Sequence, residues 1–224
     1  MDIIYYDDNI IVAIKPAGVI STDEPGGMPS LLRQALGNEN ADIRTVHRLD
    51  QVVSGLMVFA QNPETASELS RQIRAGEFKK TYLAVVRGVP QERKGRMEDI
   101  LLRSKEQRKT FVVNKPCRGS QEAVLDYRLL GSNGELSMVE INLVTGRTHQ
   151  IRAQFADAGH PLLGDRQYGA AQDARVNGQA LYAYGLRFAF ETDAGILNDL
   201  NGRIFHVKRV PFAEELFPSF RYRP

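Results

Sequence analysis

The sequence predicts an α+β fold, a mixed but mainly antiparallel sheet with flanking helices. Three observations support it. Short runs rich in Val, Ile, Leu, Tyr and Phe recur between turns rich in Gly, Pro, Asp and Asn. One pair of runs brackets Gly131-Ser132-Asn133-Gly134, a hairpin signature. Two segments, over residues 62–76 and 148–158, carry apolar residues at helical spacing with stop signals behind them.

The elements follow in order. Ile3 to Tyr6 and Ile10 to Ile14 read as strands around Asp7-Asp8-Asn9, and Lys15-Pro16-Ala17-Gly18 ends the second. Residues 21–30, rich in Pro and Gly, read as a loop. Leu56 to Ala60 is apolar enough for a buried strand. A helix should follow: Asn62 is a good N-cap, Pro63 suits the first helical position, and Glu64 favours the positive end of the dipole. Ala66, Leu69 and Ile73 would share its buried face, with Gly76 as the stop. Lys80 to Val86 is a further strand. Val124 to Leu130 and Leu136 to Val144 form the hairpin arms, with Val139, Ile141 and Leu143 on one face of the second arm and Glu140 and Asn142 on the other. Thr148 to Ala158 reads as a helix with Ile151, Phe155 and Ala158 on one face, closed by Gly159-His160-Pro161. Leu181 to Phe190 and Ile204 to Val207 complete the strands.

A chain of 224 residues with 42% hydrophobic content can bury a sizeable core. It has no strong linker, repeat or low-complexity tract, and reads as one catalytic domain over residues 1–224. The net charge is only +2, but Arg103, Lys105, Arg108, Lys109, Lys115 and Arg118 face a single acid, Glu106, between residues 101 and 120. Such a patch suits phosphate contacts, although from charge alone a solvated face is the commoner reading. Cys117 is the only cysteine, which excludes an internal disulfide and fits a reducing cytosol. The N-terminus has no signal-peptide pattern, and no apolar run approaches the roughly 18 residues of a membrane span.

The chemistry concentrates in His47-Arg48-Leu49-Asp50-Gln51-Val52-Val53-Ser54-Gly55-Leu56. In an extended segment Arg48 and Asp50 point one way, and His47 and Leu49 the other. A carboxylate held near cations stays ionised, as a nucleophile must. Taken alone, Arg48 and Asp50 would more often be a surface ion pair. Downstream, Gly146-Arg147-Thr148-His149-Gln150-Ile151-Arg152 opens the second helix, with His149 and Arg152 on nearly one face. Gly164-Asp165-Arg166-Gln167-Tyr168-Gly169 follows, and Lys79-Lys80-Thr81-Tyr82-Leu83-Ala84 supplies a tyrosine on a basic strand. The four histidines, His47, His149, His160 and His206, lack metal-ligand spacing.

Together these pieces resemble the RluA-type family of pseudouridine synthases, marked by H-R-L-D-x-x-x-S-G-L, a K-x-Y-x-A segment, and G-R-T-H-Q-I-R followed by G-H-P-x-x-G-D-x-x-Y-G. Lys15-Pro16-Ala17-Gly18 matches the family's K-P-A-G turn, so the resemblance spans nearly the whole chain. It implies a pseudouridine synthase catalytic fold and an isomerase, an intramolecular transferase acting on uridine in ribosomal or transfer RNA. It assigns Asp50 as the catalytic aspartate, Tyr82 as the residue stacking on the target base and a candidate for proton removal, and Arg152 as the partner of the aspartate. Arg48 would fill the space left by the flipped base. Lys15, Lys80, Arg147 and His149 match motif positions without an assigned role, and His47 reads as a packed, hydrogen-bonded ring. Val52 and Val53 depart from the polar residue and Thr common in the family. No room is expected for the N-terminal S4-type domain of some relatives.

Pseudouridine formation breaks the bond from ribose to N1 of uracil, turns the base and rejoins it through C5. It has no redox balance to close, so no cofactor is expected. The resemblance leaves three routes open for Asp50: attack on C1′, attack on C6, or proton abstraction at C2′. Flipping the base costs a few kcal/mol, which Arg48 and stacking on Tyr82 could offset. The expected partner is RNA, with no DNA or membrane, and the expected state is a cytoplasmic monomer. Two rivals differ in class. A catalytically inactive RNA-binding module would not need Asp50, Tyr82 and Arg152 together. A glycosidic hydrolase would usually need a second carboxylate, and none is identifiable.

Overall fold

The structure is a computed structural model and describes residues 1–219. In chain order the elements are β1 (Ile3–Tyr6), β2 (Ile10–Lys15), α1 (Met28–Leu36), β3 (Arg44–Thr45), β4 (Ser54–Ala60), α2 (Pro63–Ala75), β5 (Phe78–Arg87), β6 (Lys94–Ser104), β7 (Lys109–Val113), β8 (Ser120–Ser132), β9 (Leu136–Leu143), α3 (Gln150–Asp157), β10 (Leu181–Phe188), β11 (Ile204–His206) and α4 (Pro211–Leu216). Short 3₁₀ turns occupy Arg166–Tyr168 and Gly195–Leu200. The fold class is α+β, as the sequence predicts. The chain divides into two compact units, Met1–Lys80 with Ala183–Val207, and Thr81–Tyr182 with the chain from Lys208 onward. The chain passes from one to the other inside β5, inside β10 and again after β11.

In the first unit the strand order is β1-β2-β4-β10, with β3 also on β4 and β11 on β10. The β1/β2, β2/β4, β3/β4 and β10/β11 pairings are antiparallel. Ile10 to Ala13 and Leu56 to Ala60 are completely buried, which is why both read as unbroken apolar runs rather than alternating ones. The α2 signals act as expected: the Asn62 side chain accepts the Thr65 N–H, and Gly76 ends the helix in the left-handed region at φ 74°. The loop expected over residues 21–30 is shorter than that. Met28, Pro29 and Ser30 begin α1, with Pro29 near its start and Met28 and Leu32 buried. Its N-cap, Gly27, offered no side-chain capping signal. Glycine is required there for space, since a Cβ would lie 2.1 Å from the Thr22 carbonyl oxygen.

The second unit has the strand order β5-β9-β8-β6-β7. The predicted hairpin is β8 and β9, and its turn is locked by the Asn133 side chain, which accepts the Glu135 and Leu136 N–H groups. Val139 and Ile141 are buried while Asn142 is exposed, as the alternation requires. A second antiparallel hairpin, β6 and β7, was not legible. Lys94, Arg96 and Glu98 hide its period, and its turn carries Arg108 rather than glycine at φ 50°. The basic segment therefore begins as this hairpin's tip. Leu101 packs with Ala123, Ala153 and Tyr168, and Val112 lies against the same cluster, so one side of the hairpin rests on α3. Among the described residues no helix is long and apolar enough to cross a membrane.

Candidate active site

The Asp50 loop belongs to the first unit. Residues 46–53 run outside any helix or strand into β4. Leu49 is buried, His47 and Asp50 are half-buried and Arg48 is exposed. Nε2 of His47 accepts the Val58 N–H at 3.0 Å, and its ring lies 5.5 Å from that of Phe78. Burial, then the nearby Lys80 cation, lowers its pKa to about 3. The ring is therefore neutral, and with Nε2 accepting, the proton sits on Nδ1. His47 is the packed, hydrogen-bonded ring the sequence suggested, pinning the loop to β4.

A second clamp comes from the turn after β2. Lys15 is completely buried, yet its ammonium donates to the carbonyls of Pro16, Val19 and Gln51 at 2.9, 2.6 and 2.8 Å. The three hydrogens of the ammonium thus meet three acceptors. The Gly18 N–H donates to the same Gln51 carbonyl, and the Gln51 amide donates back to the Gly18 carbonyl. Ser21 Oγ both donates to the Leu49 carbonyl and accepts the Leu49 N–H. Asp50 accepts the Val53 N–H on its own carbonyl at 3.0 Å. Burial lowers the Lys15 pKa to about 8, and the negative charge of Asp50 opposes that fall.

Opposite Lys15 in the β2/β4 register stands Gly55, at φ 134°. A Cβ there would lie 2.2 Å from the Ala183 carbonyl oxygen of β10. Glycine is needed for this close approach of two backbones immediately after the loop. Val53 is buried and Val52 is 45% exposed, so the two valines that depart from the family pattern lie on opposite sides of the chain.

The second unit carries Tyr82 and Arg152. Tyr82 lies in β5 and is buried. Arg152 lies in α3, where Gln150 to Phe155 are all buried, so this helix hides polar residues as well as the expected apolar face. Each has at least one hydrogen-bond partner. Gln150 Oε1 accepts the Thr145 hydroxyl and the Arg147 N–H, anchoring the helix start. Gln154 donates to Asp99 at 2.7 Å. Arg152 and Asp165 form a buried fork, Nε to Oδ2 at 2.7 Å and Nη2 to Oδ1 at 2.9 Å. Nη2 also donates to Gln167 Oε1 at 2.9 Å.

Tyr168 completes this shelf. The Arg152 guanidinium and the Lys109 ammonium each lie 4.9 Å from its ring centroid. Its hydroxyl accepts the Thr110 N–H at 2.8 Å and lies 3.0 Å from Nδ1 of His149. His149 begins α3 in left-handed backbone at φ 54°.

Arg48 and Asp50 are thus brought together in one loop of the first unit, and Tyr82 and Arg152 lie in the second. Lys15, Asp165, Gln167 and Tyr168 had no predicted role. The G-D-x-x-Y-G stretch marked Asp165 and Tyr168, with Gln167 at an unspecified position between them, but no local pattern links them to Arg152 across 13 to 16 residues.

The RNA pseudouridylate synthase family pattern matches residues 9–157. The chain is 35% identical over 191 residues to the uncharacterized RNA pseudouridine synthase YhcT of Bacillus subtilis, covering 82% of this chain and 62% of that protein. It is 36% identical over 180 residues to ribosomal large subunit pseudouridine synthase D of Borreliella burgdorferi, covering 75% of this chain and 54% of that relative. The chain therefore spans between half and two thirds of the length of these relatives. In fold it is similar to human RNA pseudouridylate synthase domain containing 1, with a TM-score of 0.78 at 24% identity over 98% of this chain and 87% of that one. By the family pattern, these relatives and the motifs it carries, the chain belongs to the RNA pseudouridylate synthase family, in its RluA-type branch.

Proposed function

We propose that this protein isomerises uridine to pseudouridine in structured RNA, with Asp50 as the catalytic nucleophile and ribosomal RNA as the first substrate to test. The observation that carries this reading is the Asp50 loop: an aspartate beside a buried lysine, on a segment pinned by His47, Ser21 and Lys15. Such a loop holds a carboxylate with little freedom, which a nucleophile or base needs. In this reading Tyr82 stacks on the target base, Arg152 orients the aspartate, and exposed Arg48 fills the gap left by the flipped uridine. The Borreliella relative's name, a ribosomal large subunit enzyme, favours ribosomal over transfer RNA. The basic tip of the β6/β7 hairpin would hold phosphates.

Tritium release from transcripts labelled at uridine C5 tests the activity directly, because rejoining through C5 expels that hydrogen. Release from large ribosomal RNA, absent with Asp50→Asn, is the expected result. Release from transfer RNA alone would move the substrate. Tight RNA binding with no release from either would replace the synthase with a binding module.

A further inference from the structure

One residue at an unspecified position of the G-D-x-x-Y-G stretch touches Arg152. Gln167 is exposed, at the centre of the 3₁₀ turn, and makes two directed hydrogen bonds in the second unit. Its Oε1 accepts from Arg152 Nη2 at 2.9 Å, and its Nε2 donates to the Arg108 carbonyl at 3.1 Å. Arg108 closes the β6/β7 turn in left-handed backbone, and His149, at the start of α3, is the other described non-glycine residue in that region. An amide used at both ends is fixed in orientation, because reversing it would place a donor against the guanidinium. Asp165 fixes the plane of the guanidinium through Nε and Nη2. Gln167 ties it to the tip of the basic hairpin.

We propose that Gln167 is a positioning residue for the reaction: it holds the Arg152 guanidinium against the Arg108 carbonyl, so that the hairpin tip and Arg152 keep one relative placement. The inference rests on the reading of Arg152 as part of the active site. It needs neither a particular RNA nor a choice among the routes open to Asp50.

The two bonds can be separated by substitution. Gln167→Leu removes both. Gln167→Glu keeps an acceptor for Arg152 but has no N–H for the Arg108 carbonyl. The exposed position should let both variants fold, which thermal melting checks. Two readouts are taken on the full chain: single-turnover tritium release with RNA binding measured alongside, and nitrogen NMR of the Arg152 guanidinium in the protein without RNA. Gln167→Leu is expected to lower the maximal rate about tenfold, the equivalent of one hydrogen bond to a charged group, with RNA affinity within about twofold. Its Arg152 signal should show faster rotation about the bonds from Cζ to the terminal nitrogens. Gln167→Glu should recover the slow rotation but not the rate, because its carboxylate still holds Arg152 while it cannot donate to the Arg108 carbonyl. A Gln167→Leu protein with wild-type rate and an unchanged Arg152 signal would overturn the proposal. So would an affinity loss with a normal maximal rate, which would make Gln167 an RNA contact. Asp50→Asn is run beside them: if it retains turnover, the active-site reading fails, while the NMR result still decides what Gln167 does to Arg152.

Discussion

Replacing Lys15 with Met keeps nearly the same side-chain volume in a fully buried position while removing the charge and all three donors. Each bond from a charged donor is worth about 1.5–3 kcal/mol net. Not all of this is lost. Pro16 is exposed, so water can reach its carbonyl, and the Gln51 carbonyl keeps the Gly18 N–H. The loss that counts falls mainly on Val19 and on the tie to Gln51, giving about 2–4 kcal/mol. For a chain of this size that corresponds to a fall in Tm of roughly 5–15 °C. The effect on turnover should be larger in proportion, since Gln51 adjoins Asp50 and a misplacement near 1 Å costs on the order of a hundredfold. Calorimetry and single-turnover tritium release measure the two effects. The same lysine adds a pH signature. Raising pH through about 8 removes its proton, and with it one donor to the loop, so the wild-type rate should fall on that limb. The sign for stability is opposite. Between about pH 8 and 10.5 the unfolded chain binds a proton that the folded one does not, so this group's contribution to stability rises with pH. A Lys15→Met protein with wild-type melting and turnover, retaining the alkaline limb, would refute the clamp.

Other perturbations follow from the same geometry. His47, held neutral with its pKa near 3, refuses the proton that an unfolded chain takes up near pH 6.5. Stability should therefore fall with acidification below that pH by up to about 1.4 kcal/mol per pH unit, a slope that equilibrium denaturation would find reduced in His47→Gln. Gly55→Ala drives a methyl into the Ala183 backbone and should cost about 2–4 kcal/mol, visible as a lowered denaturation midpoint; an unchanged midpoint would mean the strands separate freely. Reversing the charges of Lys105 and Arg108 at the hairpin tip should weaken RNA binding and flatten its dependence on salt, and an equal slope in wild type and variant would remove the hairpin from the RNA contact.

Much of this architecture was legible because local signals agreed with the fold. Asn62, Pro63 and Gly76 bound α2, and the apolar runs of β2 and β4 reported strands buried on both faces. The β6/β7 hairpin was not legible for a physical reason. Its charged outer face masks the alternation, and its turn uses Arg108 in left-handed backbone where a glycine would have announced it. The start of α1 was missed because Gly27 is there for space rather than as a side-chain cap. At the site, the packed, hydrogen-bonded ring of His47 was legible, and the structure shows it. Lys15 was invisible as a clamp because its three acceptors are backbone carbonyls, which no sequence pattern displays. The Arg152 shelf was invisible because Asp165, Gln167 and Tyr168 reach it only after the chain turns back on α3.

The central claim is that Asp50 carries out the chemistry on a loop held in place by His47, Ser21 and Lys15. The most direct measurement maps pseudouridine, by carbodiimide-stop sequencing, in ribosomal and transfer RNA from cells lacking the gene and complemented with wild type or Asp50→Asn. The account predicts a mark that is lost with the gene, returns with wild type and stays absent with Asp50→Asn, although the variant protein binds the same RNA. A mark restored in full by Asp50→Asn would contradict it.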